Sequence, residues 1–150
     1  MDNATQDLII SIIDDTDDMT IATVREDGYP QATTVSYVND GMTIYFGTAT
    51  TSQKSRNIER CRKISLTINR AYTTWNRIQG LSIGGVARRV TDPDEQTEVG
   101  QLLLGKFPEI QDYIPFAQTT KDIAFYRIDP EVISLLDYTK GFGHTELLTL

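Results

Sequence analysis

Residues 19–60 constrain this chain more than any other stretch. Residues 19–25 alternate as a strand, and Glu26-Asp27-Gly28-Tyr29 turns. Residues 30–38 read as a second strand, Asn39-Asp40-Gly41 turns again, and residues 42–47 form a third. Asp-Gly between β-rich runs favours a tight hairpin, because the turn needs positive φ and glycine supplies it at no steric cost. The spacing predicts a three-stranded meander. A short polar loop, 48–51, then leads into a helix over 52–60 that opens with Ser52-Gln53-Lys54. A helix start carrying a hydroxyl and a lysine is anion-binding chemistry. The strand 31–38 is rich in Thr and Ser on both faces, as a strand lining a polar pocket would be, although threonine also suits an ordinary barrel strand.

A length of 150 residues fits a single domain, 1–150, with room for a core. Charge is distributed unevenly. Lys54, Arg56, Arg60, Arg62, Lys63, Arg70, Arg77, Arg88 and Arg89 face one opposing carboxylate, Glu59, so residues 54–89 carry +8. With a net charge of −7, the rest of the chain carries −15. A local basic region on an acidic chain points to a small anionic ligand rather than a long polyanion, and no nucleic-acid partner is expected. No apolar run reaches the roughly 20 residues of a membrane helix. The acidic start, Met1-Asp2-Asn3, is unlike a signal peptide, and the single cysteine, Cys61, suits a reducing compartment. The expectation is a cytoplasmic chain with no membrane association.

The remaining elements follow from periodicity. Residues 3–14 read as a helix capped by Asn3, with Leu8, Ile9, Ile12 and Ile13 as its apolar stripe. The aspartates at 14, 15, 17 and 18 read as a solvated connection rather than a metal site. Residues 63–69 alternate as a strand, and the loop 70–77 carries Tyr72 and Trp75. Residues 78–90 form a long strand with a bulge or bend at Gly84-Gly85. Asp92-Pro93-Asp94-Glu95 starts a helix reaching about Gly105, followed by a helical turn over 108–114 and a loop over 115–122. Strands over 123–129 and 132–138 flank Pro130, and a glycine-rich tail, 139–146, holds the one histidine, His144. The fold class read here is mainly β (α+β), a barrel of six to seven antiparallel strands with peripheral helices. There is no Gly-x-Gly-x-x-Gly, no phosphate-loop lysine motif and no Cys-x-x-Cys. Lone Cys61 and lone His144 make neither a nucleophilic pair nor a zinc site, so any demanding chemistry falls to a cofactor.

In their order and spacing, several motifs resemble the pyridoxamine 5'-phosphate oxidase-like family of FMN-binding split β-barrels. They are Ala22-Thr23-Val24-Arg25, Asp27-Gly28-Tyr29-Pro30, Gln31 to Ser36, Asp40-Gly41, Tyr45-Phe46-Gly47-Thr48, Ser52-Gln53-Lys54 and Asn57-Ile58, with residues 64–68 and Gly85-Val86-Ala87-Arg88-Arg89-Val90. The resemblance spans about residues 5–138 and is nearest to short, general-stress-protein-type members. It implies FMN at a homodimer interface and oxidoreductase activity on a small-molecule substrate. It places Gln31, Thr33, Thr34, Val35 and Ser36 along the flavin, and Phe46, Gly47 and Thr48 beside its ring and ribityl chain. It assigns Ser52, Gln53 and Lys54 to the phosphate, and Gln79 or Gly80 falls near the position of a flavin-contacting glutamine. Gln31, Ser36 and Gln53 stand where the family's true oxidases carry positive charges, and the chain ends Glu146-Leu147-Leu148-Thr149-Leu150 rather than in a basic substrate-binding segment. Oxidation of vitamin B6 phosphates is therefore not the expected reaction, and no catalytic side chain is assigned. The other readings on this fold are a non-catalytic flavin sensor or store, and a haem or deazaflavin binder with His144 as the available imidazole.

Overall fold

Strong alternation becomes strand throughout. β1 (Asp18–Val24) turns at Gly28 into β2 (Pro30–Ser36), with Thr20 opposite Thr34 and Ala22 opposite Ala32. β3 (Val38–Asp40) turns at Gly41 into β4 (Thr43–Ala49). β5 (Lys63–Asn69), β6 (Gln79–Arg89), β7 (Ile123–Asp137) and β8 (Thr145–Thr149) complete one antiparallel sheet in the order β2-β1-β5-β6-β7-β4-β3, with β8 added to β7. The sheet curls into a half-barrel. The computed structural model describes residues 1–113 and 123–150; the loop read at 115–122 and the end of the helical turn read at 108–114 lie outside them.

Three α-helices among the described residues fill and flank the curl. α1 (Asn3–Asp14) sends Ile9, Ile12 and Ile13 into the core beside Ile21, Phe46, Leu66, Ile83 and Ile133. Its cap is Asp2, whose carboxylate accepts from the Thr5 N–H at 2.7 Å; Asn3 is already helical, so the expected cap is one residue off. α2 (Gln53–Arg60) adds Ile58 to the same core. α3 (Pro93–Lys106) begins at Asp92 with proline in its first turn, as its sequence predicts. It lays Val99, Leu102 and Leu103 over Val38, Tyr45, Val90 and Phe125, and so covers the other side of the β3-β4 end of the sheet.

Two expectations are corrected. First, the meander does not form. Strand 30–38 divides at Tyr37, β2 pairs only with β1, and β3–β4 joins β7 at the far end of the sheet. Tyr37 is fully buried, and its hydroxyl donates to the Ile13 carbonyl at 2.6 Å and meets Thr16 Oγ1 at 2.5 Å. Lys106 Nζ sits 4.0 Å above its ring. Anchoring this one side chain at the end of α1 costs less than burying an unsatisfied hydroxyl, and the strand breaks there. Second, Pro130 does not separate two strands. β7 runs through it for 15 residues because β6 yields: Gly84 faces Val132, Gly85 faces Pro130, and Glu131 is the extra residue of a bulge. A Cβ on Gly85 would stand 2.6 Å from the Asp129 carbonyl oxygen, so glycine is required there. The tail, read from sequence only as glycine-rich, ends in a strand. After a 3-10 turn at Tyr138–Lys140, Gly141 and Gly143 take positive φ and β8 returns along β7.

Replacing Tyr37 by Phe removes the hydroxyl that fixes the break and strands the Ile13 carbonyl. We expect a loss of about 1–2 kcal/mol in urea unfolding. Burial pushes the Tyr37 phenol up from 10.0 to about 12. The neutral form is favoured in the folded state, so its contribution is full below pH 10 and is lost as pH rises from 10 to 12. Stability of Tyr37→Phe should fall less steeply across that window.

Candidate functional site

α2 carries a cluster of polar side chains at its start and on the face it turns to the sheet. Ser52 caps it, accepting from the Ser55 N–H at 3.1 Å, and meets the Thr48 hydroxyl at 3.1 Å. The first N–H groups of a helix have no intrahelical partner. Ser52 takes that of Ser55, leaving those of Gln53 and Lys54 without a hydrogen-bond partner among the described residues. Lys54 is half-buried, and desolvation holds its ammonium below the ordinary lysine range. Among the described residues it makes no ion pair. Desolvation of a charge without a partner is costly, and an anion at this spot would offset it.

Behind the cap, Asn57 ties the helix to the β1–β2 hairpin. Its amide accepts from Gln53 Nε2 at 2.8 Å and donates to Thr23 Oγ1 at 3.0 Å and Gln31 Oε1 at 3.3 Å. Arg56 curls back to the Thr51 carbonyl and to Gln53 Oε1. Gln31, Thr48, Ser52, Gln53 and Lys54 are thus gathered at one end of the half-barrel. Thr33 lies on the same face of β2 as Gln31; its hydroxyl is shielded from solvent and has no hydrogen-bond partner among the described residues. Val35 packs against the core from that face, whereas Thr34 and Ser36 point to the opposite, exposed face. A ligand along β2 would therefore meet its free backbone edge and one side-chain face at a time. Asn57 and Thr23 were not singled out from sequence. The signal was a polar residue on the buried face of α2, next to Ile58.

Two of the sequence-derived residues lie apart from this group. Phe46 is fully buried and stacks on Tyr126 at 5.6 Å, whereas its neighbour Gly47 is exposed. Gln79 lies five residues along β6 from Gly84, the partner of Ser65 in the row that ends at Ala32, a separation of about 17 Å along the strand. Both ends of its amide are engaged: Oε1 accepts from Arg70 at 2.6 Å, and Nε2 donates to Asp137 at 3.1 Å. Arg70 continues to Asp15 at 2.6 Å and to Ser11 at 2.8 Å. Burial pushes the Asp137 carboxyl up, but hydrogen bonds from Thr139 and Gln79 outweigh it and leave the carboxyl below its ordinary value. Trp75 is 67% exposed and leans on exposed Phe142 at 6.0 Å, rather than entering the core. His144 is held by Glu146 at 3.0 Å.

The outer face of the sheet is also distinctive. Cross-strand register places Thr34, Thr20, Thr67, Ser82 and Ser134 in one row ending at Leu147. The next row reads Ala32, Ala22, Ser65, Gly84, Val132 and Thr149. Among the described residues no helix covers these rows, and Leu147 is 73% exposed.

Comparison with known proteins places this geometry. The profile described as pyridoxamine 5'-phosphate oxidase matches residues 7–137. No curated protein sequence matches. Among solved structures, the chain is similar to a haem-binding protein from Mycobacterium smegmatis, at 19% identity and a TM-score of 0.82. That match covers 99% of this chain and 59% of the other, so this chain spans little more than half of that protein. A conserved hypothetical protein from Mycobacterium tuberculosis is 25% identical over 97% of this chain and 91% of its own, with a TM-score of 0.78. A Clostridium acetobutylicum protein related to general stress protein 26 is 16% identical over 100% of this chain and 97% of its own, with a TM-score of 0.73. Among the described residues no helix is long and apolar enough to cross a membrane.

The Asn57 junction generates a prediction. Asn57→Ala leaves Thr23 and Gln31 without their partner in a buried setting and should cost about 1–3 kcal/mol in urea unfolding. Gln53→Ala removes only one bond from the outer side of the junction and should cost less.

Proposed function

Because the chain belongs to the pyridoxamine 5'-phosphate oxidase family, we propose that it is a flavoprotein that binds FMN and acts as an oxidoreductase on a small-molecule substrate. The observation that carries this reading is Lys54: a half-buried ammonium, unpaired among the described residues, borne on the first turn of a helix that has two spare N–H groups and the hydroxyls of Ser52 and Thr48 at its start. This donor set fits a phosphate monoester. In this reading Lys54, Ser52 and the N–H groups of Gln53 and Lys54 hold the phosphate. Gln31 and the orphan hydroxyl of Thr33 serve as polar contacts beside the β2 edge, with Val35 an apolar one. Exposed Gly47 offers its backbone and Thr48 its hydroxyl beside β4. The bound flavin would supply electron transfer, while the chain orients it and limits its contact with water. Gln79, committed to Arg70 and Asp137, is left out of the phosphate end. No catalytic side chain is assigned. The single free cysteine, Cys61, fits a cytoplasmic setting.

Homodimerisation belongs to the same reading. The uncovered face across β2, β1, β5 and β6 consists of small and hydroxyl residues that permit close approach of a second copy. The β2 edge, which the flavin would use, borders that face.

A second reading, a haem-binding or haem-storing module on this fold, takes its support from the similarity to the haem-binding protein of Mycobacterium smegmatis. His144 would be its imidazole, and the contact with Glu146 would have to yield. A deazaflavin or a non-catalytic flavin store would use the same phosphate contacts. The absorbance spectrum of the purified protein separates the cofactors: flavin bands favour the first reading, and a Soret band the second. Substrate-dependent bleaching of the flavin separates an oxidoreductase from a store.

Lys54→Ala should weaken FMN binding by about tenfold to a hundredfold, read by fluorescence quenching, while the fold is kept. Arg62→Ala, beyond the far end of α2, should leave FMN affinity nearly unchanged. For the dimer, light scattering on the wild type should give twice the chain mass. Ser82→Glu combined with Thr67→Glu should give a monomer with loosened FMN. A wild-type monomer that holds FMN tightly would sink the shared-site reading.

A further inference from the structure

The basic segment does not converge on α2's first turn alone. Arg62, at the far end of α2, and Arg88 and Arg89, at the end of β6, line a separate cavity of about 420 Å³ together with Thr91. Its apolar wall is Ile58 and Ala87. The two arginine-bearing segments are fastened to each other, since the Ala87 N–H donates to the Arg62 carbonyl at 2.9 Å. Glu59 is the one carboxylate among the described lining residues, and it is fixed: Ser55 bonds the Tyr126 hydroxyl at 2.6 Å, and that hydroxyl donates to Glu59 at 2.9 Å. Arg88 is shared with Glu95 through stretched contacts of 3.3 and 3.4 Å. Arg62 and Arg89 form no ion pair among the described residues. With Arg88 shared with Glu95, Arg62 and Arg89 against one tethered carboxylate still leave this pocket positive on a chain of net charge −7.

We propose that Arg62, Arg88, Arg89 and Thr91 form a second anion site, distinct from the Lys54 end of α2, that takes a small ligand bearing a phosphate or pyrophosphate group. The eight residues of α2 put the two sites about 12 Å apart along the helix. Planar guanidinium forks match phosphate oxygens in pairs, and a threonine hydroxyl adds a neutral donor. The volume lies within the range of small-molecule pockets. A long polyanion is disfavoured, because the −15 carried outside the basic segment repels its flanks.

The probe is inorganic pyrophosphate, titrated calorimetrically into the full-length chain. It is added to Lys54→Ala, which lacks the charge at the other site, and to the same variant carrying Arg62→Gln and Arg89→Gln. The expected result is at least about a tenfold loss of affinity in the triple variant. Thermal unfolding checks its fold, and if it fails to fold, Arg89→Gln in the Lys54→Ala background carries the same expectation. Arg62→Gln with Arg89→Gln in the otherwise native chain should keep its affinity for FMN, so loss of this site and failure of the flavin reading are told apart. Three results would overturn the proposal: equal pyrophosphate affinity with and without the arginines, no binding to Lys54→Ala, or displacement of pyrophosphate by a single-stranded RNA with a steep salt dependence.

Discussion

The continuity of β7 through Pro130 is the constraint on which the rest of this structure depends. β7 is the strand with three neighbours: β6 runs along one edge, and β4 and β8 share the other. Proline gives no N–H to a ladder, so a central strand containing one survives only where the partner bends away. Gly84 and Gly85 allow that bend, and the bulge at Glu131 absorbs the extra residue. Breaking the strand there would separate the half that carries β4 and β3 from the half that carries β8. α3 would then lose its platform of Tyr45, Val90 and Phe125, because those residues meet only when β4, β6 and the start of β7 are aligned.

Local chemistry was legible wherever it decided the outcome locally. The Asp-Gly and Asn-Asp-Gly turns, the Asp92-Pro93 helix start, the strand at residues 63–69 and the bend at Gly84-Gly85 needed only neighbours in sequence, and all are present. The errors were of another kind. Splitting residues 30–38 depends on the Ile13 carbonyl, 24 residues away, which holds the Tyr37 hydroxyl at the end of α1. Joining the strands around Pro130 depends on glycines 45 residues earlier. β8 was hidden because its glycine-rich lead-in masks a short alternating run, Thr145 to Thr149, that becomes a strand only beside β7.

The polar cluster at α2 was half legible. Ser52 and Lys54 announced a helix start, but the assignment of Gln31, Thr33, Thr48, Gln53 and Gln79 came from resemblance, and the structure sorts them. Asn57 draws Gln31 and Gln53 to one junction, whereas Arg70 and Asp137 commit Gln79 to another. The difference is one of hydrogen-bond partners. Arg70 and Asp137 each hold one end of the Gln79 amide, which fixes the direction in which it points. The sequence shows which residues can bond, whereas long-range register determines which are already taken.

The row of hydroxyls from Thr34 to Ser134 has a consequence of its own. A row of charges needs an opposite row and repels its own copy. A hydroxyl donates and accepts at once, so a row of them is its own complement after a two-fold rotation. Each O–H can also turn to suit whatever faces it, water or protein, without leaving a stranded charge behind. This face can therefore meet water or a like surface with the same five side chains and without a change of protonation.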